Sequence, residues 1–347
     1  MIRFLATTVL VGALLLQPQA GTAEPLLERA RALFEPIPLE PPKELAGRPV
    51  TPALIELGRA LYFDPRLSAS HNISCNTCHQ IGLGGGDGRS TSIGHNWQRG
   101  GRNAPTVLNA VFNTAQFWDG RASDLEQQAR GPIVNPIEMG TTPARAVAQI
   151  VSIPGYRPLF ERAFPGVREP ITYENIAFAI AAFETTLITP NAPFDRYLRG
   201  DLSALDTEQK RGLTLFIDKG CANCHNGINV GGGTYAPFGV VQRPGWEMLP
   251  PDDRGRYEVT ATVADEYVFK VPTLRNITLT APYFHSGQAW DLLQAVSVMG
   301  SAQLGATLTD EEARLIAVFL ETLTGEQPQV VYPILPPSTG KTLRPRP

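Results

Sequence analysis

The chain has 347 residues, enough for about two domains of ordinary size. With 43% apolar residues it can fill real cores, and 18% charged residues is too few for a disordered chain. A net charge of −3 and a pI near 6.0 argue against a nucleic-acid partner.

Arg3 and the apolar run Phe4–Leu16 have the form of a secretory signal, and the small residues Gly21-Thr22-Ala23 offer cleavage before Glu24. The run of 13 residues is shorter than the roughly 20 that a spanning helix needs, and no other long apolar run follows. Residues 1–23 are therefore expected to be removed, leaving an exported protein without membrane insertion.

Gly58-Arg-Ala-Leu-Tyr-Phe-Asp64 reads as a helical approach to Cys75-Asn-Thr-Cys78-His79, with a glycine-rich loop at Gly82–Gly88. Pro105-Thr106, Asn109, Phe117-Trp118-Asp119-Gly120 and Leu125 come next. Ile176, Ile180, Phe183 and Leu187 share one helical face, and the stretch Pro190–Pro193 reads as an interdomain link. A second approach, Gly212–Asp218, leads to Cys221-Ala-Asn-Cys224-His225 and a loop at Gly231–Gly233. Pro272-Thr273, Asn276, Phe284-His285-Ser286-Gly287 and a helix over Leu292–Met299 repeat the earlier order. Thr309 and Glu312 form a capping box before the stripe Leu315, Ile316, Phe319, Leu320 and Leu323, with Gly325 as the expected stop. From Gln327 the prolines at Pro328, Pro333, Pro336 and Pro337 predict an extended strap.

All four cysteines fall in the two Cys-x-x-Cys-His copies. Two disulfides, a redox dithiol or a zinc site would each explain paired cysteines, but the adjacent histidine decides against them. Two thiolates that add to haem vinyls, with an imidazole beneath the iron, are the haem c attachment pattern. The later elements of the two halves share one offset, from residue 105 to 272 as from 118 to 285, whereas the Cys-x-x-Cys-His copies are 146 apart. The second half therefore holds 21 extra residues between its haem motif and its Pro-Thr element. The expected fold is all-α: two cytochrome c-like haem domains related by duplication, with many loops, over residues 24–188 and 189–347.

His79 and His225 supply one axial ligand each, so the opposite positions determine function. Among His71, His95, His285 and the methionines Met1, Met139, Met248 and Met299, two stand out. His95 follows a flexible glycine-rich loop, and Met299 lies on a helix 74 residues beyond His225. A His/Met iron has a raised potential, which suggests that one haem stores an electron while the other performs chemistry.

The sequence resembles the bacterial di-haem cytochrome c peroxidases over essentially the whole mature chain. The resemblance is densest at Phe63–Leu67, Ser74–His79, Asn103–Thr106, Gln116–Arg121, Pro136–Met139, Gly220–Gly227, Ala281–Gly287 and Met299-Gly300. It implies that residues 24–188 form the peroxidatic, low-potential domain and 189–347 the electron-transfer, high-potential domain. By the same resemblance, Cys75 and Cys78 hold the first haem and Cys221 and Cys224 the second. His79 and detachable His95 would be the axial pair of the first iron, and His225 and Met299 that of the second. Glu138 would be the catalytic acid/base, Gln128 its companion in the distal pocket, and Trp118 the tryptophan between the haems. Asn103, Thr280 and Pro282 would bind calcium through oxygen. The implied enzyme is a periplasmic homodimer that reduces hydrogen peroxide with electrons from a small c-type cytochrome or cupredoxin. A plain di-haem electron carrier would share the haem motifs but has no use for His95 or the Gln128/Glu138 pair. A related di-haem enzyme that oxidises a partner protein carries tyrosine where Met299 stands here.

Overall fold

Helix starts in this chain are set by side-chain caps, and the caps recur in both halves. The computed structural model describes residues 24–346; the expected signal at 1–23 lies outside the described residues. Seven helices carry the architecture: α1 (Pro25–Arg31), α2 (Pro52–Phe63), α3 (Leu125–Val134), α4 (Tyr173–Glu184), α5 (Thr207–Asp218), α6 (Leu292–Leu304) and α7 (Asp310–Glu321). Thr51, Asp124 and Thr172 cap α2, α3 and α4, and Asp206, Asp291 and Thr309 cap α5, α6 and α7, each accepting from a backbone N–H of the first turn. The capping box of Thr309 and Glu312 forms as the sequence predicts.

Each half is built on one helix crossing. A Cβ on Gly58 of α2 would stand 1.8 Å from the Ala179 carbonyl oxygen of α4, and one on Gly212 of α5 would stand 2.0 Å from that of Leu315 in α7. The missing side chains let the helix backbones touch. Around the first crossing Leu57, Leu61, Tyr62, Ile176, Ile180 and Phe183 form a buried core. Around the second, Leu213, Phe216, Ile316 and Phe319 do the same. Sheet is confined to short pairs, of which β1 (Tyr235–Pro237) and β2 (Val268–Lys270) run antiparallel within the extra residues of the second half.

The duplication is visible in the backbone. Asn109 and Asn276 both adopt left-handed φ, near 60° and 59°, as do Phe117 and Phe284, near 67° and 68°. The two asparagine side chains converge on one residue: Asn109 Nδ2 donates to Thr189 Oγ1 at 2.7 Å and Asn276 Nδ2 at 2.9 Å. All three are buried, so the start of the interdomain link is pinned by both halves at once.

Both chain ends cross to the other half. Phe34, just after α1, packs edge-on to Phe194 at 5.3 Å within the second core. The tail from Gln327 has no regular helix or strand and runs back over the first half as the expected strap. Tyr332 packs on Phe63 at 5.0 Å, Arg66 donates to Ser338, and the Arg346 N–H donates to the Ala69 carbonyl at 2.7 Å. Two helix ends differ from expectation. α4 stops at Glu184, before Leu187, where the Thr185 and Thr186 hydroxyls take up the carbonyls of Ala182 and Phe183. α7 ends at Glu321 with Thr322 as its cap, so Gly325 is not its stop. Gly325 instead permits close approach to Thr189, whose carbonyl oxygen would lie 2.0 Å from an added Cβ.

Candidate functional site

The second Cys-x-x-Cys-His motif follows directly on α5, turned by Gly220 at φ 94°. Cys221, Cys224 and His225 line a cavity of about 220 Å³, and Met299 reaches the same cavity from α6. Its remaining walls are largely apolar, with Phe216, Leu274, Ile277, Val296 and Leu320 among them. Two thiols, an imidazole and a thioether around an apolar space are the donor set and environment that a covalent haem needs. Burial keeps His225 neutral, with its pKa lowered to about 4, as an iron ligand requires.

At the first motif, Tyr62 donates its hydroxyl to the His79 carbonyl at 2.7 Å. His79 Nδ1 lies 3.0 Å from the Pro105 carbonyl, which can only accept, so Nδ1 carries the proton and Nε2 is left free to ligate. Pro272, the counterpart of Pro105, lies beside His225, but the buried His225 Nδ1 has no hydrogen-bond partner among the described residues. All four cysteines are free, and burial pushes the thiols of Cys78 and Cys221 up to about 11 and that of Cys75 further. That is the setting of packed thiols, not of a reactive dithiol.

His95 and Glu138 are joined. The His95 N–H donates to the Glu138 carbonyl at 2.8 Å, and the Gln98 amide donates to the carbonyls of His95 and Pro136. Gly94 and Gly140 make the approach close: a Cβ on the first would meet the Ile137 carbonyl at 2.2 Å, and one on the second the His95 ring at 2.6 Å. The imidazole is buried, with Nδ1 lacking a partner, while Asn96 and Trp97 beside it adopt positive φ and Trp97 is 84% exposed. The Glu138 carboxylate accepts from Asn135 Nδ2 at 2.8 Å. Burial raises its pKa above the usual carboxylate range, against the lowering effects of Arg121 and Asn135. Its charge is also felt at Cys75 and Cys78, which puts it beside the first motif. Gln128 stands half-buried on α3.

Trp118, Asn103, Thr280 and Pro282 all border the second-motif cavity. Trp118 Nε1 donates to the Asn103 carbonyl at 2.9 Å, and Asn103 N–H donates to the carbonyl of His285, the counterpart of Trp118. Asn103 Nδ2 donates to the Arg89 carbonyl, which leaves its Oδ1 available as a ligand. Among the described residues no group of three or more His, Cys, Asp or Glu could hold a metal ion, whereas the expected calcium ligands are amide and carbonyl oxygens.

Three features escaped the sequence reading. Arg102 joins the halves, gripping Asp119 and Asp253 at 2.6 Å each. Glu184 is a buried carboxyl with an unpartnered Oε2. Lys270 is a buried ammonium in the second-motif cavity. Only Lys270 left a trace in the sequence, as a lysine inside the apolar run Val268-Phe-Lys-Val271.

Family models for di-haem cytochrome c peroxidase and for cytochrome c match residues 52–203 and 209–324. The cytochrome c551 peroxidase of Pseudomonas aeruginosa is 54% identical over 337 residues, with 96% of this chain and 97% of that protein covered. That of Nitrosomonas europaea is 50% identical, with 89% and 91% covered. Among solved structures, a MauG-like protein associated with microbial copper homeostasis superposes with a TM-score of 0.74 at 28% identity, covering 83% of this chain and 94% of that one. No helix among the described residues is long and apolar enough to cross a membrane.

Proposed function

Since this chain belongs to the di-haem cytochrome c peroxidases, oxidoreductases that act on hydrogen peroxide, we propose that its two halves divide the reaction between a peroxide site and an electron store. Cys75 and Cys78 would hold one haem c and Cys221 and Cys224 the other, and the bound haems would supply the two electrons that peroxide reduction needs. His79 would hold the first haem iron, and His95 would be the residue that blocks it in the resting enzyme. His225 and Met299 would hold the second iron, and a His/Met pair would give it the higher potential.

The observation that carries this reading is the asymmetry of the halves: His95 is tied to Glu138 at 2.8 Å, and Met299 occupies the second cavity. Once His95 withdraws, the Glu138 carboxylate takes a proton from one peroxide oxygen and returns it to the departing one. Asn135 orients the carboxylate, and Gln128 positions peroxide beside it. Trp118, anchored on Asn103 at the second cavity, would serve as the route for electrons between the haems. Calcium bound by Asn103 Oδ1 and the carbonyls of Thr280 and Pro282 would hold the two halves in register across the Trp118 contact.

Export by residues 1–23 puts the enzyme in the periplasm. There a small c-type cytochrome or cupredoxin would dock transiently near the second haem, and two chains would pair as a homodimer. Exposed Trp290 and Leu293, at the start of the helix that carries Met299, support docking on that side.

Stopped-flow mixing with peroxide tests the switch. The half-reduced enzyme should turn over rapidly and the fully oxidised enzyme should not, whereas His95→Gly should be fast in both states. Equal fast turnover of the oxidised and half-reduced wild type would overturn the switch, and no turnover in either would favour a plain electron carrier.

A further inference from the structure

Lys270 is only 7% exposed, and its side chain makes neither an ion pair nor a hydrogen bond among the described residues. Lysine is rarely buried so completely without a partner, because an unpaired ammonium in an apolar setting is costly. The nearby carboxylates are already committed. Asp119 and Asp253 pair with Arg102, Glu266 pairs with Arg254, and Asp265 lies within 4.0 Å of Arg256.

What Lys270 does face is the cavity of the second haem motif. Among the described residues that line it, Lys270 is the one lysine or arginine, and no aspartate or glutamate is present. His285, which also lines it, is held neutral by burial and stacks on Phe269 at 4.2 Å. The cavity thus offers a single side-chain cation and no anion, which calls for an anionic occupant. The anionic groups of a haem are its propionate carboxylates.

We propose that Lys270 is the counter-charge for a propionate of the second haem, and that through this pair it raises the reduction potential of that haem relative to the first. The inference rests on the reading of the second cavity as a haem site. A cation close to the porphyrin stabilises the reduced, less positive iron, and a propionate left unpaired does the reverse. Lys270 is also positioned by the contact between the halves, since its N–H donates to the Trp118 carbonyl at 2.7 Å. The same residue thus anchors the tryptophan's backbone and sets the charge beside the second haem. With burial alone the ammonium would lose its proton near pH 8; pairing with a carboxylate restores its charge.

The test is spectroelectrochemical titration of the two-haem protein with Lys270→Met and Lys270→Arg, in saturating calcium and again with chelator. Lys270→Met should weaken the reduction equilibrium of the second haem about tenfold, a downward shift of ~59 mV for one electron, and leave the first haem unchanged. Lys270→Arg should restore the wild-type value, which a merely structural role for the lysine would not produce. An unchanged second potential in Lys270→Met, an equal shift at both haems, or a shift confined to the first haem would each overturn the assignment. So would a shift that calcium removal reproduces in the wild type and that Lys270→Met lacks. Peroxide turnover is measured separately, so a protein with the Lys270 shift but no turnover would fail as a peroxidase while keeping this assignment.

Discussion

Two carboxyls near the first haem motif, half-buried Glu138 and buried Glu184, have different tasks. Glu138 is held by Asn135 and has its pKa raised by burial, so its carboxylate becomes the dominant form at higher pH than for an exposed glutamate. Because the proposed base must be ionised, peroxide turnover should fall as pH drops through that raised value. Glu138→Gln should lower kcat by ~10²–10⁴ while the haem absorption spectrum stays as in the wild type. Glu184, in contrast, has an unpartnered Oε2 and a pKa pushed up to about 8 by burial alone. The folded state holds this proton more tightly than the unfolded state, whose value is near 4.5. Its effect on stability is therefore most favourable below pH 4.5, declines as pH rises from there towards 8, and levels off above. Glu184→Gln should remove that decline, worth on the order of a few kcal/mol, and chemical denaturation from about pH 5 to 9 would measure it. His95 and Met299 could be put forward from the sequence as ligand candidates because ligand residue types are few. Glu184 was not legible, because a charged letter by itself does not say whether it will be buried, and Lys270 left only the trace of its apolar neighbours.

At the scale of helices, the two crossings depend on absent side chains. Gly58 and Gly212 each leave no room for a methyl group against a facing backbone carbonyl, and backbone cannot step aside as a side-chain tip can. Gly58→Ala and Gly212→Ala should each cost ~2 kcal/mol or more, each confined to its own haem domain. Thermal unfolding followed at the two haem signals separately would show which half responds. The paired approaches Gly58–Asp64 and Gly212–Asp218 were readable as repeats. Their partners α4 and α7 were readable as apolar stripes, but the identity of the crossing residues appears only when the helices meet. The helix ends show the same limit: hydroxyls at Thr185 and Thr322 end α4 and α7 locally, while Gly325 serves a contact with Thr189 far away in sequence.

Over the whole molecule, the halves are tied at both ends and in the middle. Phe34 fills the second core, the tail from Gln327 lies along the first, and Thr189 binds both asparagine counterparts. A chain cut after Gln327 should uncover Phe63 and lose the packing of Val330 and Leu335 on the first core. The expected loss is about 2–4 kcal/mol from the first-haem domain, visible in calorimetry as a lower first transition with the second nearly unchanged. A single transition shifted as a whole would mean that the two halves unfold together. Arg102, between Asp119 and Asp253, belongs to the same scale, because its partners lie in different halves and were unrelated in the sequence.

By itself the sequence determined that haem is bound twice and that the halves are copies, and it put forward His95 and Met299 as the residues opposite the two histidines. These are matters of residue type and spacing, and covalent haem chemistry tolerates few alternatives. Tertiary structure decided what surrounds them: that His95 rests on the Glu138 turn, that both ends of the chain exchange halves, and that one lysine is buried in the second cavity. Those outcomes depend on burial and on long-range pairing, which arise only when distant segments displace water from one another.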